Sequence, residues 1–524
     1  MGYYVNPGSR KLKMSLNSEI YVDKSGLLTQ TNKLLDTEKR FICLTRPRRF
    51  GKTMGANLMA TYYGCGEDTR ELFENLAIAK DATFEQHLNK YNVLMINMQE
   101  FLSQTTSITE MLALLQTTII EELIEDYPDV RYKNKEAFIP VMKDVHKGTN
   151  RPFVILIDEW DCLFREYKED VEAQKKYLDF LRLWLKDQAY VGLAYITGIL
   201  PIKKYGSHSA LNVFSEYSMI DPRQFLGYFG FNDEEMKSLT AEYGVDFDEM
   251  RKWYNGYFMD LGRPIYNPKS VTESLISKHF SNYWSNTETF EALRNYIMMD
   301  FDGLREKVTL MLAGEAVSVD MRSFTNDMTT FRDANDVMAL LVHLGYLTYN
   351  FEKRIVRIPN EEVKDEFVTS VRTLKWDNVM SAIKQSNKLL QAIWNQETEV
   401  VAAGVEKVHE ENTSILQYND ENSLSCVISL ALYGATEYYT TIRELPTGKG
   451  YADLVFIPRK KHADKPALLV ELKWDKEAVS AIDQIKQKTY ITALDEYHDN
   501  LLLVGINYDK NSKEHTCMIE EYKA

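Results

Sequence analysis

Short apolar runs that alternate with amphipathic stretches dominate the first 225 residues of this 524-residue chain. The runs resemble strands and are FICLT (41–45), YNVLMINM (91–98), FVILID (153–158) and GLAYITGIL (192–200). Between the second and third runs, ITEMLALLQTTIIEELI (108–124) has the apolar spacing of a helix with one buried face. Strands that alternate with helices favour a parallel sheet covered on both faces. The sequence therefore predicts an α/β fold for this region.

The pattern changes twice along the rest of the chain. Residues 226–390 have mainly helical patterns, and Asn232 and Glu235 have the spacing of a capping box. The segment 336–350, followed by KRIVRIPN, is typical of a helix that leads into a small hairpin, as in a winged helix. From residue 391 onward, the patterns indicate a helix, three consecutive strands, a second helix and a final strand. We therefore predict three domains, over 1–225, 226–390 and 391–524.

Charge and composition exclude several classes of protein. The 62 Lys and Arg residues stand against 77 Asp and Glu residues, a net charge of −15, so any nucleic-acid contact must use a local basic patch. The five cysteines are scattered and never in C-x-x-C spacing, which argues against a disulfide framework or a zinc ribbon and fits a reducing compartment. The sequence lacks a secretory signal and any apolar run of about 18 residues. We expect a cytoplasmic protein with no membrane partner, and the oligomeric state stays open.

A glycine–lysine–threonine motif follows the first strand-like run. The text RPRRFGKT (46–53) precedes the helical pattern MGANLMATYY, which gives the strand–loop–helix context of a phosphate loop. In such a loop Lys52 reaches the β- and γ-phosphates and the Thr53 hydroxyl binds Mg²⁺. Arg46 replaces the first glycine of the usual pattern, so a chance GKT in a basic loop is the alternative interpretation. The residues expected to bind ATP here are Arg48, Arg49, Phe50, Gly51, Lys52 and Thr53.

Polar residues end the later strand-like runs. Asp158 ends FVILID, where an acidic residue can hold Mg²⁺ as in P-loop NTPases. Glu159 can then orient or deprotonate the attacking water. Thr197 would lie beside the phosphate loop and sense the γ-phosphate, although a purely structural β-branched residue explains it equally well. Arg223, in DPRQF, is a candidate for an arginine that contacts the γ-phosphate.

A second group of charged residues lies near the C-terminus. Residues two apart in a strand share a face, so Glu471 and Lys473 lie side by side inside the apolar run LLVELKW. Asp453, on the preceding strand, supplies a second carboxylate. Two carboxylates bind Mg²⁺ or Mn²⁺, which can activate water and offset charge on a phosphodiester. Lys473 would position the water or stabilise the developing anion. The alternative is an ordinary Glu–Lys pair on an exposed edge strand.

Neighbouring residues favour the interpretation of this group as a metal-dependent nuclease site. Glu421 opens a helix before the strands and Gln484 lies in the helix after them, so both are accessory candidates. Gly448 and Gly450 allow close approach to the backbone. Residues 448–473 contain six Lys and Arg residues against three Asp and Glu residues, which predicts a local basic patch for nucleic acid.

The N-terminal region resembles the AAA-ATPase-like family found in many gut-type bacteria. The matching segments are YVDKSGLL (21–28), CLTRPRRFGKT (43–53), ILIDEWD (155–161), ITGILPI (196–202), WYNGY (253–257) and YNPKSV (266–271). The C-terminal region resembles the PD-(D/E)XK nuclease superfamily branch that is commonly fused to it. Its matching segments are GKGYADLVF (448–456), LVELKW (469–474) and DQIKQKTY (483–490).

The resemblance implies a P-loop NTPase sheet, a helical lid and a restriction-endonuclease-like α/β domain. At the first site it implies Lys52 and Thr53 on phosphates and Mg²⁺, Asp158 on Mg²⁺ and Glu159 as the catalytic base. At the second site it implies a catalytic core and accessory residues, which are Asp453, Glu471 and Lys473, with Glu421 and Gln484.

Two functions are compatible with these features. The first is a cytoplasmic ATPase coupled to a metal-dependent nuclease that cleaves DNA or RNA, in defence or mobile-element biology. The alternative is a nucleotide-dependent regulatory switch whose C-terminal module is catalytically inactive and only binds a partner.

Overall fold

The chain divides into two units, and each unit is made of two segments. The computed structural model describes residues 2–202, 211–259, 263–284, 289–299, 301, 303–321, 324, 331–374, 376–412, 421–447, 450–487, 494, 497 and 499–522. The first unit comprises residues 1–287 and 318–363, and the second comprises 288–317 and 364–524. The predicted boundaries near 225 and 390 do not coincide with these limits, and the three-domain division stays a prediction.

A parallel sheet forms the centre of the first unit, which confirms the predicted α/β fold. Its strands are β1 (Phe41–Thr45), β2 (Asn92–Asn97), β3 (Phe153–Asp158), β4 (Val191–Gly198) and β5 (Ser215–Tyr217). They lie in the order β2-β3-β4-β1-β5, each parallel to its neighbours. All residues of β1, β3 and β4 are buried, as expected for a sheet covered on both faces. The strand β5 was not predicted from the sequence.

Helices cover this sheet. They are α1 (Arg10–Leu16), α2 (Gly26–Asn32), α3 (Lys52–Tyr63), α4 (Arg70–Phe73), α5 (Phe84–His87), α6 (Met98–Leu102), α7 (Ile108–Asp126), α8 (Phe138–Thr149), α9 (Cys162–Glu166) and α10 (Val171–Leu185). The predicted amphipathic helix is α7, which buries Ile108, Met111, Leu115 and Ile119 at helical spacing. Leu44 of β1, Leu156 of β3 and side chains of α3 share one core, so the sheet and α3 are packed together.

The middle of the chain is mainly helical, as predicted. Its elements are α11 (Asp233–Tyr243), α12 (Phe247–Tyr254), β6 (Tyr257–Met259), β7 (Arg263–Ile265), α13 (Pro268–Ser277), α14 (Thr289–Met298), α15 (Leu304–Leu312), β8 (Val317–Ser318), α16 (Ala334–Leu344), β9 (Thr348–Asn350), β10 (Ile355–Arg357) and α17 (Glu361–Thr373). The capping box of Asn232 and Glu235 is formed at the start of α11. The predicted helix and hairpin are α16 followed by the antiparallel pair β9 and β10.

The C-terminal region forms a mixed sheet with helices. The helices are α18 (Asp377–Trp394), α19 (Thr398–Asn412), α20 (Glu421–Ala431), α21 (Ala435–Tyr438) and α22 (Ala478–Gln487). The strands are β11 (Tyr439–Thr447), β12 (Gly450–Pro458), β13 (Ala467–Trp474), β14 (Leu501–Tyr508) and β15 (His515–Glu521), in that order in the sheet. Among the described strands of this sheet, β13 and β14 are the only parallel pair, and α22 lies between them in sequence.

Gly505 of β14 allows α22 to lie close to this sheet. A Cβ atom at this position would lie 2.6 Å from the Ala478 carbonyl oxygen and 3.0 Å from the Ala481 Cβ.

Within the described ranges, no helix combines the length and the apolar character that crossing a bilayer requires.

Candidate nucleotide and nuclease sites

The loop between β1 and α3 has the geometry of a phosphate loop. Gly51 has φ of 88°, in the left-handed region that favours glycine, and α3 begins at the next residue. The Lys52 ammonium donates hydrogen bonds to the carbonyl oxygens of Arg46 and Pro47, each 3.0 Å away. Burial lowers the pKa of Lys52, and the nearby carboxylates of Glu159 and Asp158 oppose that shift. The Lys52 side chain therefore lies across the loop that the sequence predicts to bind phosphates.

Thr53 and Asp158 lie together where β3 ends. The Thr53 hydroxyl donates a hydrogen bond of 2.6 Å to the Asp158 carboxylate. Burial raises the pKa of Asp158, while the Thr53 hydrogen bond and the Lys52 charge act in the opposite direction. The Thr53 hydroxyl and the Asp158 carboxylate lie side by side, and both are oxygen donors of the kind that Mg²⁺ prefers. These two residues therefore fit that ion.

Glu159 is held by an ion pair. Its backbone has φ of 52°, which is uncommon for a residue other than glycine. Its carboxylate accepts a hydrogen bond from the Arg165 guanidinium, and the two side chains are 24% and 13% exposed. Burial raises the pKa of Glu159, while the charges of Arg165 and Lys52 lower it. Neither the ion pair nor the residue Arg165 was predicted from the sequence.

Thr197 and Asp161 connect the ends of β3 and β4. Thr197 is buried, pairs with Asp158 in the sheet register, and accepts a hydrogen bond of 3.1 Å from the Trp160 N–H through its carbonyl oxygen. The Asp161 carboxylate accepts hydrogen bonds from the N–H groups of Ile199 and Leu200, at 3.0 and 2.7 Å. Sequence reasoning missed Asp161, although it lies in the quoted ILIDEWD segment.

Gly198 allows Asp161 to reach across β4. A Cβ atom at Gly198 would lie 2.5 Å from one Asp161 carboxylate oxygen and 2.8 Å from Cδ1 of Trp160. Since these distances are far below ordinary contact, the glycine of ITGILPI is required by the position of Asp161.

Arg46 supports the loop from inside the protein. Its side chain is fully buried and donates hydrogen bonds to the carbonyl oxygens of Thr45 and Tyr217, at 2.7 and 3.0 Å. The guanidinium carbon lies 5.6 Å from the ring centre of Phe229. Burial lowers the pKa of Arg46 to about 10. The arginine that replaces the first glycine of the loop therefore connects β1 to β5.

The other loop residues have different surroundings. Arg49 is exposed and has φ of 70°. Arg48 is half-buried, and its carbonyl oxygen accepts a hydrogen bond of 3.3 Å from the Trp284 indole. Phe50 is buried and packs edge-to-face against Tyr257, with ring centres 5.2 Å apart. Of the side chains of these three residues, that of Arg49 is the most accessible to a ligand.

Arg223 is not brought to this site by its described contacts. Its exposed guanidinium pairs with Asp221 at 2.6 Å and lies over the ring of Tyr217. None of these contacts joins it to Lys52 or Thr53, and a role in binding the γ-phosphate stays a prediction.

The predicted nuclease residues meet on β12, β13 and α22. The Asp453 carboxylate of β12 accepts a hydrogen bond of 2.7 Å from the Leu472 N–H of β13. The Glu471 carboxylate is 1% exposed, and one of its oxygens is shared by the Lys473 ammonium, at 3.1 Å, and the Gln484 amide. The Lys473 ammonium also donates to the Leu472 carbonyl oxygen at 3.0 Å. Lys473 and half-buried Gln484 therefore converge on one oxygen of the buried Glu471 carboxylate, and half-buried Asp453 reaches the same strand through the Leu472 backbone.

The structure describes only part of the remaining candidates. Glu421 is the first residue of α20, but its side chain lies outside the described part, as does Gly448. Of the predicted basic patch, Lys449 lies outside the described residues. Arg459 donates to the Thr436 carbonyl oxygen, and Lys465 pairs with Asp464 at 3.0 Å. The patch stays a prediction.

Two family models match the regions of the chain that contain these residues. Residues 12–207 match the family model described as "Predicted AAA-ATPase", and residues 419–517 match the PD-(D/E)XK nuclease superfamily. A protein of Azotobacter chroococcum mcd 1, described as "Uncharacterized protein in vnfD 5'region", is 26% identical over 384 residues, which are 70% of this chain and 69% of that protein.

Two solved structures are weakly similar to this chain. A Walker-type ATPase of Pyrococcus abyssi is 13% identical with a TM-score of 0.35, and the match covers 66% of this chain and 94% of that one. The ORC2 protein of Aeropyrum pernix, in ADPNP–ADP complexes, is 8% identical with a TM-score of 0.29, covering 68% and 97%. On the family matches, the chain combines an AAA-ATPase-like domain with a domain of the PD-(D/E)XK nuclease superfamily.

Proposed function

We propose that this protein binds and hydrolyses ATP at the β1–α3 loop, and that its C-terminal domain is a metal-dependent nuclease that cleaves DNA or RNA. The observation that carries the proposal is the buried pair of Glu471 and Lys473, with Gln484 on the same carboxylate oxygen and Asp453 on the neighbouring strand. Burying charged groups costs free energy even when they are paired, so their presence here favours a functional role, and these are the residue types of phosphodiester hydrolysis. A cytoplasmic location and a part in defence or mobile-element biology stay predictions.

At the nucleotide site, Lys52 supports the proposal because it lies across the loop on carbonyl oxygens that it can exchange for phosphate oxygens. Thr53 and Asp158 would hold Mg²⁺, which offsets charge on the phosphates. Glu159 would accept a proton from the attacking water. Arg49 is exposed beside the loop and would contact phosphates, whereas Arg46 is committed to the protein interior.

At the nuclease site, Asp453 and Glu471 supply the carboxylates that would hold Mg²⁺ or Mn²⁺, and their oxygen donors fit either ion. Such an ion supplies Lewis-acid stabilisation of the phosphodiester and an activated water. Lys473 would move from Glu471 toward the scissile phosphate or orient the water. Gln484 would keep the Glu471 carboxylate oriented.

The test is cleavage of single- and double-stranded DNA and RNA by the purified protein, with Mg²⁺ or Mn²⁺ and with or without ATP. Lys473→Ala and Glu471→Gln should lose cleavage and keep ATP turnover, since both changes lie in the second unit. Glu159→Gln should bind ATP with unchanged affinity and turn it over about 10²–10⁴-fold more slowly. Lys510→Ala changes an exposed lysine of the second unit outside the predicted basic patch, and it is the matched control for cleavage.

The outcomes separate the candidate functions. Cleavage that survives both cluster variants would contradict the assignment of the nuclease site. ATP hydrolysis without cleavage of any of these nucleic acids would favour a nucleotide-dependent switch with an inactive binding module.

A further inference from the structure

Arg165 lies between two carboxylates and makes a hydrogen bond to only one of them. Its Nη2 atom donates to Glu159, while its Nε atom is 3.6 Å from the nearer carboxylate oxygen of Asp161. That distance is too long for a hydrogen bond. Among the described residues, neither this Nε atom nor this Asp161 oxygen has another hydrogen-bond partner. Two buried and complementary groups are therefore left just short of contact.

The two carboxylates differ in how firmly they are held. Asp161 is fully buried, and its second oxygen accepts the N–H groups of Ile199 and Leu200. Glu159 is 24% exposed, and its described side-chain hydrogen bond is the one from Arg165. Asp161 is thus the fixed partner of the guanidinium and Glu159 the partner that can be released.

We propose that Arg165 restrains Glu159, and that ATP hydrolysis requires the guanidinium to shift from Glu159 to Asp161. The inference rests on the proposed function, in which Glu159 is the base. Arg165 is a positioning residue because it acts through Glu159 and not on the substrate. The shift needs less than about 1 Å to bring Nε within hydrogen-bond distance of Asp161.

The chemistry gives the reason for a restraint. In hydrolysis, a water O–H bond breaks and its proton passes to the Glu159 carboxylate. The water oxygen forms a bond to the γ-phosphorus as the bond from that phosphorus to the bridging oxygen breaks, which leaves ADP and phosphate. A carboxylate oxygen that already accepts a hydrogen bond from a guanidinium is a poorer acceptor for the proton of water. Release of Glu159 therefore favours the step.

The shift does not leave a buried charge without a partner. An arginine that simply lost Glu159 would be an uncompensated charge at 13% exposure, which is strongly unfavourable. Asp161 accepts the guanidinium instead, so the two arrangements can be close in free energy. Because Asp161 also holds the backbone that follows β4, displacement of that strand end would change the balance between them.

The experiment compares variants with opposite expected effects on ATP turnover. Arg165→Met removes the restraint, so kcat should rise about tenfold while the Kd of ATP stays within about twofold. Asp161→Asn keeps an oxygen for Ile199 and Leu200 but removes the charge that attracts Arg165, so kcat should fall about tenfold. Arg165→Lys keeps a positive charge and should stay near the wild-type rate.

Two further variants complete the design. Arg182→Met removes an exposed arginine that pairs with Asp179 on α10, and it should not change the rate. Glu159→Gln combined with Arg165→Met should abolish the increase, because the increase acts through Glu159. For each variant, a melting temperature that rises when ATP is added shows that the protein is folded and binds ATP. If Arg165→Met does not fold, Asp161→Asn and Arg165→Lys still decide the inference.

The failures are distinguishable. If the wild type hydrolyses ATP and folded Arg165→Met is unchanged or slower, or Asp161→Asn is unchanged or faster, the restraint is overturned and the proposed function stands. If the wild type and Arg165→Met both bind ATP and neither hydrolyses it, the proposed hydrolysis is overturned as well.

Discussion

Replacing Gly198 with alanine should displace Asp161 and weaken the nucleotide-binding unit. The new Cβ would lie 2.5 Å from one Asp161 oxygen and 2.8 Å from its Cγ, so the carboxylate must move. Moving it breaks the hydrogen bonds from Ile199 and Leu200, at 3.0 and 2.7 Å. Hydrogen bonds to a charged group contribute about 1.5–3 kcal/mol each, and partial relaxation recovers some of that. We expect Gly198→Ala to lower the free energy of unfolding by about 3 kcal/mol.

The assay is urea unfolding followed by tryptophan fluorescence, because Trp160 lies directly beside Gly198. Gly192→Ala is the matched control on the same strand. Its Cβ would meet Pro152 at 3.0 Å and an Asp36 oxygen at 3.1 Å, which small shifts can relieve. The control should therefore cost about 1 kcal/mol or less.

A double-mutant cycle identifies the cause of the loss. If displacement of the carboxylate is responsible, Gly198→Ala should cost less than about 1 kcal/mol in an Asp161→Ala background. If Gly198→Ala still lowers the free energy of unfolding by about 3 kcal/mol in that background, the reasoning is refuted and the contact with Trp160 is the cause instead. A wild-type stability for Gly198→Ala alone would refute the structural premise.

Three other changes test separate parts of the molecule. Thr53→Val removes the hydroxyl that contacts Asp158, so ATP affinity should fall about tenfold with Mg²⁺ and little with EDTA, as measured by calorimetry; equal losses would contradict a role in metal binding. Lys473→Met leaves Glu471 buried without its cation and should cost about 3–5 kcal/mol in urea unfolding, most of it recovered by adding Glu471→Leu. Burial lowers the pKa of His343 to about 4 from an ordinary 6.5, so the neutral ring stabilises the fold above pH 6.5. As the pH falls from 6.5 to 4, up to about 3 kcal/mol should be lost relative to His343→Gln; parallel pH curves for the two proteins would contradict this.

The central strands could be predicted because buried parallel strands are continuous apolar runs, and β1 to β4 all have that form. The strand β5 could not, since Ser215–Tyr217 is short and mixed in polarity and becomes a strand only by pairing with β1. Likewise, β15 has the alternating polarity of an edge strand in HTCMIEE and was overlooked.

The site residues likewise divide into those that the sequence could predict and those that it could not. Lys52, Thr53 and Asp158 could be predicted because strand ends and a helix start define their positions locally. The surroundings of Arg46 could not, because the Tyr217 carbonyl oxygen and the Phe229 ring lie more than 170 residues away along the chain. The link from Arg165 to Glu159 and Asp161 depends on side-chain directions that sequence spacing does not determine.

The division of each unit into two segments has a consequence for dissecting the protein. The polypeptide passes from one unit to the other at residues 287/288, 317/318 and 363/364, so no single cut separates them. A fragment that ends at residue 363 contains the whole first unit, but it also carries 288–317 without the residues that complete the second. We expect such a fragment to expose the apolar side chains of α14 and α15 and to aggregate. An isolated nucleotide-binding unit is therefore best made by deleting residues 288–317 from that fragment and joining residues 287 and 318 with a flexible linker.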